Sequence, residues 1–372
     1  MSDLEGRLNE YYSRLNDKHL GPLWNSLQSI MNKEPRPRAS TYLWKWDEVR
    51  SFVMESGELV TPERGGERRV IFFRNPGLES LDPWGWGSLT HTLYAGVQLL
   101  QPGEKAPSHR HSQNAIRFIL EGSGAYTVVE GERVYMERGD FLITPAGLWH
   151  DHVHEGDTPM LWFDCLDIPL TYEIAGTFFE PHPEFNQPVT KPDNDSMQKF
   201  VSAGLRPLQE RSNTYAPLAV WKWERTRKAL NELEKGEADE CDGFAVEYVN
   251  PVTGEAAGHT IGAMMQKLSP AMHTMAHRHT HSAIYHVFEG SGYSVINGVR
   301  FDWSTGDTFV IPNWAWHEHV NTSAEDVYLF STNDRPVMEK LNLERTETYG
   351  NGQQTVTETF STQKPNEILS TP

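Results

Sequence analysis

Alternating apolar and polar residues dominate two long stretches of this 372-residue chain, as in "AYTVVEGERVYM" at 125–136 and "YSVINGVRFDW" at 293–303. A period of two sends successive side chains to opposite faces of a strand, and the glycines between the runs mark turns. Helical periodicity is weak throughout both stretches, so the pattern predicts an all-β fold of barrels or sandwiches. Two segments differ. "LEGRLNEYYSRLNDKHLGPLWNSLQSIMN", from residue 4, gathers Leu4, Leu8, Tyr11, Tyr12 and Leu15 on one side and breaks at Gly21-Pro22, the pattern of a helical arm. "VWKWERTRKALNELEKGEADE", from residue 220, predicts a second helical segment.

The β-rich stretches are copies of one another. Displaced by 168 residues, "HTLYAGVQLLQPGEKAPSHRH" (91–111) falls on "HTIGAMMQKLSPAMHTMAHRH" (259–279), with His-Thr, the Gln, the Pro and His-x-His in register. "AIRFILEGSG" then meets "AIYHVFEGSG", and after a one-residue gap "GERVYMERGDFLITPAGLWHDHV" meets "GVRFDWSTGDTFVIPNWAWHEHV". This is an internal duplication. The expected organisation is a helical arm and lead-in (1–60), a first module (61–185), a linker with a helix (186–250), a second module (251–340) and a loose polar tail (341–372).

Charge narrows the class of partner. The formal charge of -18 comes from 51 acidic residues spread along the chain, which argues against binding nucleic acid or anionic lipid. Cys165 and Cys241 are the only cysteines and lie far apart, so neither a disulfide framework nor a thiolate metal site is indicated. With no apolar run of about 18 residues and no signal-like N-terminus, a cytoplasmic location is expected.

The duplicated histidines carry the chemistry. His109 and His111 lie two apart on a strand and point to one side, half of a chelate that His150 completes if the intervening strands fold back. Three imidazoles suit iron, nickel, copper or zinc and leave coordination positions open. A single histidine of this kind is usually a core or surface residue; recurrence of the pattern as His277, His279 and His317 favours the metal.

The spacing of "GEKAPSHRH" and "GDFLITPAGLWH" resembles the paired motifs of the cupin superfamily, and the duplication makes the chain resemble a bicupin, two tandem β-barrel modules. The general cupin pattern carries a glutamate four residues after the second histidine; here Ala115 and Ala283 stand instead. A metal dication held by neutral imidazoles alone keeps its full charge and can accept an anionic, bidentate substrate together with dioxygen.

Arg117 shares strand parity with Ala115 and so points into the barrel, where a guanidinium is costly without an anion. Asp164 could supply one internally. The reading adopted is that the substrate does, as a carboxylate clamped bidentately.

"WKWDEVRSFVMESGELVTPERGGERRVIFFRNPGL" followed by "TLYAGVQLLQPGEKAPSHRHSQNAIRFILEG" closely resembles the gentisate 1,2-dioxygenases, with salicylate and 1-hydroxy-2-naphthoate dioxygenases nearby. The resemblance implies iron(II), dioxygen as co-substrate, and cleavage of an aromatic acid between its carboxyl-bearing and adjacent hydroxyl-bearing carbons. It implies iron ligation by His109, His111 and His150, and carboxylate binding by Arg117 and by Arg68 of "GGERR", a motif that composition alone would also allow as a solvated loop. His152 would contact substrate, Asp164 would orient such a group, and Tyr94, Gly96 and Gln98 would line or adjoin the pocket. It also implies a homo-oligomer, commonly a tetramer, with the N-terminal arm as an exchange element.

In the second copy Tyr285 replaces Arg117 and His281 replaces Gln113. Its expected role is a structural or subsidiary metal site, or a differently tuned catalytic one. Rival functions are a metal-dependent isomerase or decarboxylase and a non-enzymatic binding or storage bicupin.

Overall fold

The computed structural model describes residues 3–61, 66–81, 87–200, 207–209 and 220–361. The chain divides into two compact units between Arg36 and Pro37. The first holds two helices, Asp3–Asn16 and Leu23–Ile30, separated at the Gly21-Pro22 break as the spacing predicts. Trp24 Nε1 donates to the Tyr12 hydroxyl at 3.1 Å and ties the helices together. Leu4, Leu8, Leu20, Leu23, Trp24 and Ile30 remain exposed.

The second unit contains both β modules, each a pair of sheets curled around its own interior. In the first module one sheet orders the strands Val220–Trp221, Phe141–Thr144, Ala115–Glu121, Met160–Leu166, Tyr94–Leu100 and Val70–Phe72. The other orders Phe179–Pro181, Lys105–His111, His150–His154, Ser123–Val129 and Glu132–Glu137. Corresponding strands of the second module follow the same order. No described helix is long and apolar enough to cross a membrane.

Strand parity divides the buried residues between two cores. In Ala115–Glu121, Ile116, Phe118 and Leu120 face outward and join Ile284, Phe288 and Phe330 of the second module in one cluster, while Ile119 faces into its own barrel with Leu100, Leu142 and Trp162. Phe118 and Phe330 stack at 4.1 Å between centroids, worth about 0.5–1.5 kcal/mol beyond the area they bury. This shared apolar face explains why the inner strands are buried on both sides rather than alternating.

The modules also exchange their lead-ins. Tyr42–Trp44 precedes the first module but pairs with Thr308–Ile311 of the second, and Val220–Trp221 precedes the second but pairs with Phe141–Thr144 of the first. A repeated Trp-Lys-Trp locks each exchange. Lys45 meets Asp307 at 2.7 Å and Lys222 meets Asp140 at 2.5 Å, while the same aspartates accept the backbone N–H groups of Trp46 and Trp223 at the starts of two helices. Gly306 and Gly139, at φ +90° and +85°, lie where a Cβ would strike those tryptophans.

Three expectations about boundaries change. Phe244–Glu247, placed in the linker by the sequence, is an edge strand of the second module because it pairs with Gly262–Leu268. Residues 42–44 of the lead-in belong to the second module's sheet. The tail is not loose through residue 361: Thr346–Thr348 pairs with His277–His279, Glu358–Thr359 pairs with Val299–Arg300, and Phe360 stacks on Phe301. Polar composition misleads there because the segment is held by backbone pairing. Residues 362–372, and 201–206 and 210–219 of the linker, lie outside the described residues.

Candidate metal centre

His109 and His111 alternate along Lys105–His111 and project to one face, and antiparallel pairing sets His150 directly across from His109. Ligand nitrogens of the three lie within 4.8 Å of one another, and all three residues are buried. Each imidazole is held from behind by a backbone carbonyl two residues away: His109 Nδ1 donates to Pro107 at 3.2 Å, His111 Nδ1 to Gln113 at 3.0 Å and His150 Nδ1 to Leu148 at 3.1 Å. A proton on Nδ1 leaves Nε2 with its lone pair, and His150 Nε2 is buried with no partner in the protein.

Burial, followed by the nearby guanidinium charges, depresses His109 to about 3 and His111 to about 4. His150 is also pushed well down by burial. The trio is therefore neutral at physiological pH, the form that ligates a metal. A partnerless buried nitrogen, outer carbonyl bonds and a neutral donor set together fit a divalent transition metal.

Arg117 enters from Ala115–Glu121 and points inward, as parity predicts. Its anion is supplied internally: Nε lies 3.3 Å from Asp164 Oδ1, and Nη1 donates to Thr144 Oγ1 at 2.7 Å. This corrects the reading in which substrate alone balances it. The reason is register, since Asp164 sits opposite Arg117 on the neighbouring strand and on the same inward face. Trp162 Nε1 holds the other carboxylate oxygen at 3.0 Å, and burial raises Asp164 to about 6.

Arg68, on the turn Gly66–Arg68, lies against His109, and its Nη2 donates to the same Pro107 carbonyl that receives the His109 Nδ1 proton, an oxygen with lone pairs for both donors. It is a half-buried neighbour of the trio rather than part of a solvated loop. Arg69 instead turns away to Glu104 and the Val60 carbonyl. His152 shares the face of His150, 5.3 Å from the Trp162 ring, and its buried Nδ1 has no partner.

Tyr94 stands at the end of Tyr94–Leu100 beside Phe72, its hydroxyl pushed up by burial and then by Asp164. Gln98 is buried with Nε2 unpartnered. Gly96 is opposite Asp164, and a Cβ there would run into Val70–Phe72, so its lack of a side chain admits that strand.

The second module builds a matching trio. Ligand atoms of His277, His279 and His317 also lie within 4.8 Å of one another, and the His277–His317 ring centroids are 4.1 Å apart against 4.2 Å for His109 and His150. Its surroundings are different. Tyr285 and Ser331 occupy the positions of Arg117 and Asp164, and Asp242 Oδ1 lies 4.0 Å from His277 Nε2, whereas Arg68 lies at the Nδ1 edge of His109. His281 stacks on His279 at 3.5 Å and is held by Glu344 at 2.8 Å. Arg335, whose charge reaches His279 and Asp242, is exposed and paired with Glu339.

Sequence reasoning passed over Asp242, and it passed over Asn114, Asp167 and Thr260 beside the first trio. The recurring His-Thr at 91–92 and 259–260 was the available signal for the last of these.

Comparison with known proteins gives a consistent picture. Residues 96–168 and 264–333 each match the Cupin domain family. The chain is 40% identical over 338 residues, 90% of this chain and 95% of the relative, to gentisate 1,2 dioxygenase 1 of Aquipseudomonas alcaligenes. It is 38% identical over 355 residues, 94% and 91%, to the 5-aminosalicylate 1,2-dioxygenase of a Comamonas species. Among solved structures, salicylate 1,2-dioxygenase from Pseudoaminobacter salicylatoxidans in adducts with gentisate superposes with a TM-score of 0.85 at 37% identity, covering 92% of this chain and 94% of that one.

Proposed function

The chain belongs to the bicupin family of ring-cleaving dioxygenases that contains the gentisate 1,2-dioxygenases, and from that premise we propose that its first module cleaves gentisate to maleylpyruvate in the breakdown of aromatic compounds. One dioxygen is consumed and both its atoms enter the product. The observation that carries the reading is the neutral trio His109, His111 and His150 with an inward guanidinium, Arg117, beside it.

Iron(II) on that trio would supply the redox chemistry by which dioxygen reacts with an aromatic ring. The protein's own part is orientation. Arg117, braced by Asp164 and Thr144, and Arg68, at the far side of His109, receive the substrate carboxylate as charge-assisted donors. His152 is pushed down by burial and then by Arg117, so it is neutral, and its partnerless Nδ1 supports a hydrogen bond to the substrate. Trp162 and Leu142 close the barrel behind the site and exclude water.

Tyr94 bears on substrate choice, since the resemblance implies that "LYAG" (93–96) is the gentisate-like form of this segment, with tryptophan in place of the tyrosine in a salicylate-cleaving relative. Gentisate carries a second hydroxyl para to the first, which donates electron density and eases oxidation of the ring. A pocket with polar groups aimed at that hydroxyl leaves them unpaired when salicylate binds. A para amino group would donate density similarly, and the likeness to a 5-aminosalicylate 1,2-dioxygenase makes that acid the second reading. The second trio holds a subsidiary metal. The protein works in the cytoplasm as a homotetramer in which the apolar faces of Asp3–Asn16 and Leu23–Ile30 are covered by another copy.

Anaerobic reconstitution with iron(II), followed by oxygen uptake against gentisate, salicylate, 5-aminosalicylate and 1-hydroxy-2-naphthoate, tests the proposal. Gentisate should give the highest kcat/KM, and a salicylate value equal to it or higher would refute the substrate assignment.

A further inference from the structure

The two modules hold each other's ligand loops. Asp167, buried at the start of the helix Ile168–Glu173, accepts the Asn114 backbone N–H at 3.0 Å and the Asn114 side-chain amide at 3.2 Å. The third donor to this carboxylate comes from the other module: Thr260 Oγ1 donates to Asp167 Oδ2 and accepts from Asn114 Nδ2 at 2.9 Å.

Asn114 is a junction for the first trio. The residue before it, Gln113, presents the carbonyl that fixes His111 Nδ1. Its own side-chain oxygen accepts the Ala146 N–H at 3.2 Å, and Gly147 N donates to the His111 carbonyl at 2.7 Å. That turn runs directly into Leu148, whose carbonyl fixes His150 Nδ1.

The mirror-image contact is thinner. Thr92 donates to Asp334 at 2.5 Å, and Asp334 accepts the Ser282 backbone N–H at 2.6 Å. Ser282 stands where Asn114 does and makes no bond to the turn before His317. Asn313 ties that turn to the Thr280 carbonyl at 2.6 Å without help from the first module.

We propose that Thr260, a residue of the second module, is a positioning residue for the first metal centre, setting His111 and His150 through Asn114 and Asp167. Three groups share two buried acceptors, so loss of the hydroxyl leaves one lobe of Asp167 and one amide proton of Asn114 short of a partner. The loop and the turn then lose their common anchor. Outer partners of metal ligands typically govern affinity by 10- to 100-fold. The inference rests on the proposal that this trio holds the metal.

The test is cobalt(II) binding to the full chain carrying His279→Ala, so that the first trio is the intact one, read by titration and by the visible absorption of the bound ion. Thr260→Val should weaken binding about tenfold and alter the spectrum, and Thr260→Ser should restore both. Thr92→Val removes the mirrored bond between the modules and should leave first-centre affinity and spectrum as in the parent. Thr260→Ala serves if the valine variant does not fold. A folded Thr260 variant with parental affinity and spectrum would overturn the inference, as would an equal loss in Thr92→Val, which would mean general loosening between modules. A parent that binds no cobalt(II) would overturn the metal assignment itself.

Discussion

The two modules carry closely similar histidine trios in different electrical settings. In the first, Arg68 lies against His109 and Arg117 reaches the interior braced by Asp164; in the second, a carboxylate, Asp242, lies near His277 and the interior position belongs to Tyr285. An aromatic carboxylate approaching the first trio meets cations, and at the second it meets the Asp242 carboxyl group and a His281 ring stacked on His279. The spacing of the histidine trio is thus a local property of the strands and survives duplication. The charged side chains around each trio are delivered by other elements, and these have diverged.

Arg117→Ala should produce the larger break in this contrast. Losing a charge-assisted clamp removes roughly 2–5 kcal/mol of substrate binding, which is at least about thirtyfold in kcat/KM, with iron content retained by metal analysis. Because the substitution strands Asp164, the paired change Arg117→Ala with Asp164→Asn separates loss of binding from loss of fold. Tyr285→Phe, at the matching position of the second module, should leave kcat/KM unchanged.

A smaller effect is expected at Tyr94. Tyr94→Trp should shift the ratio of kcat/KM for salicylate over gentisate upward by about tenfold, measured from oxygen uptake and the absorbance of the ring-opened product. A ratio that does not move would detach Tyr94 from substrate choice.

The smallest effects should be symmetric. Lys45→Met and Lys222→Met each strip a buried aspartate of its cation in one of the exchanged lead-ins, and each should cost about 1–2 kcal/mol of stability. Thermal unfolding of the two variants should show similar losses, since the scaffold has kept the symmetry that the site chemistry has lost. A much larger loss in one would show that the exchange is lopsided.

Much of this contrast was legible before the fold. Period-two alternation and the 168-residue repeat pointed to duplicated β modules, and His-x-His with a later histidine pointed to each trio, because strand parity and a fold-back are local consequences of spacing. The Arg117–Asp164 pair is only one of two possibilities from the sequence, since cross-strand register cannot be read from a single strand and it is the fold that sets Asp164 opposite Arg117. Asp242 went unread because it lies before the second module's repeat begins, on a segment that pairs only after folding. The exchanged lead-ins were hidden for a related reason: Trp-Lys-Trp recurs at 44–46 and 221–223, but which module each copy grips is a matter of topology.

The central claim, that ring cleavage belongs to the first module, is tested most directly by oxygen uptake with gentisate in two iron(II)-reconstituted variants. His111→Ala should be inert, and His279→Ala should remain folded with measurable turnover. Two folded variants that are equally inactive would contradict the account, because catalysis would then require both trios.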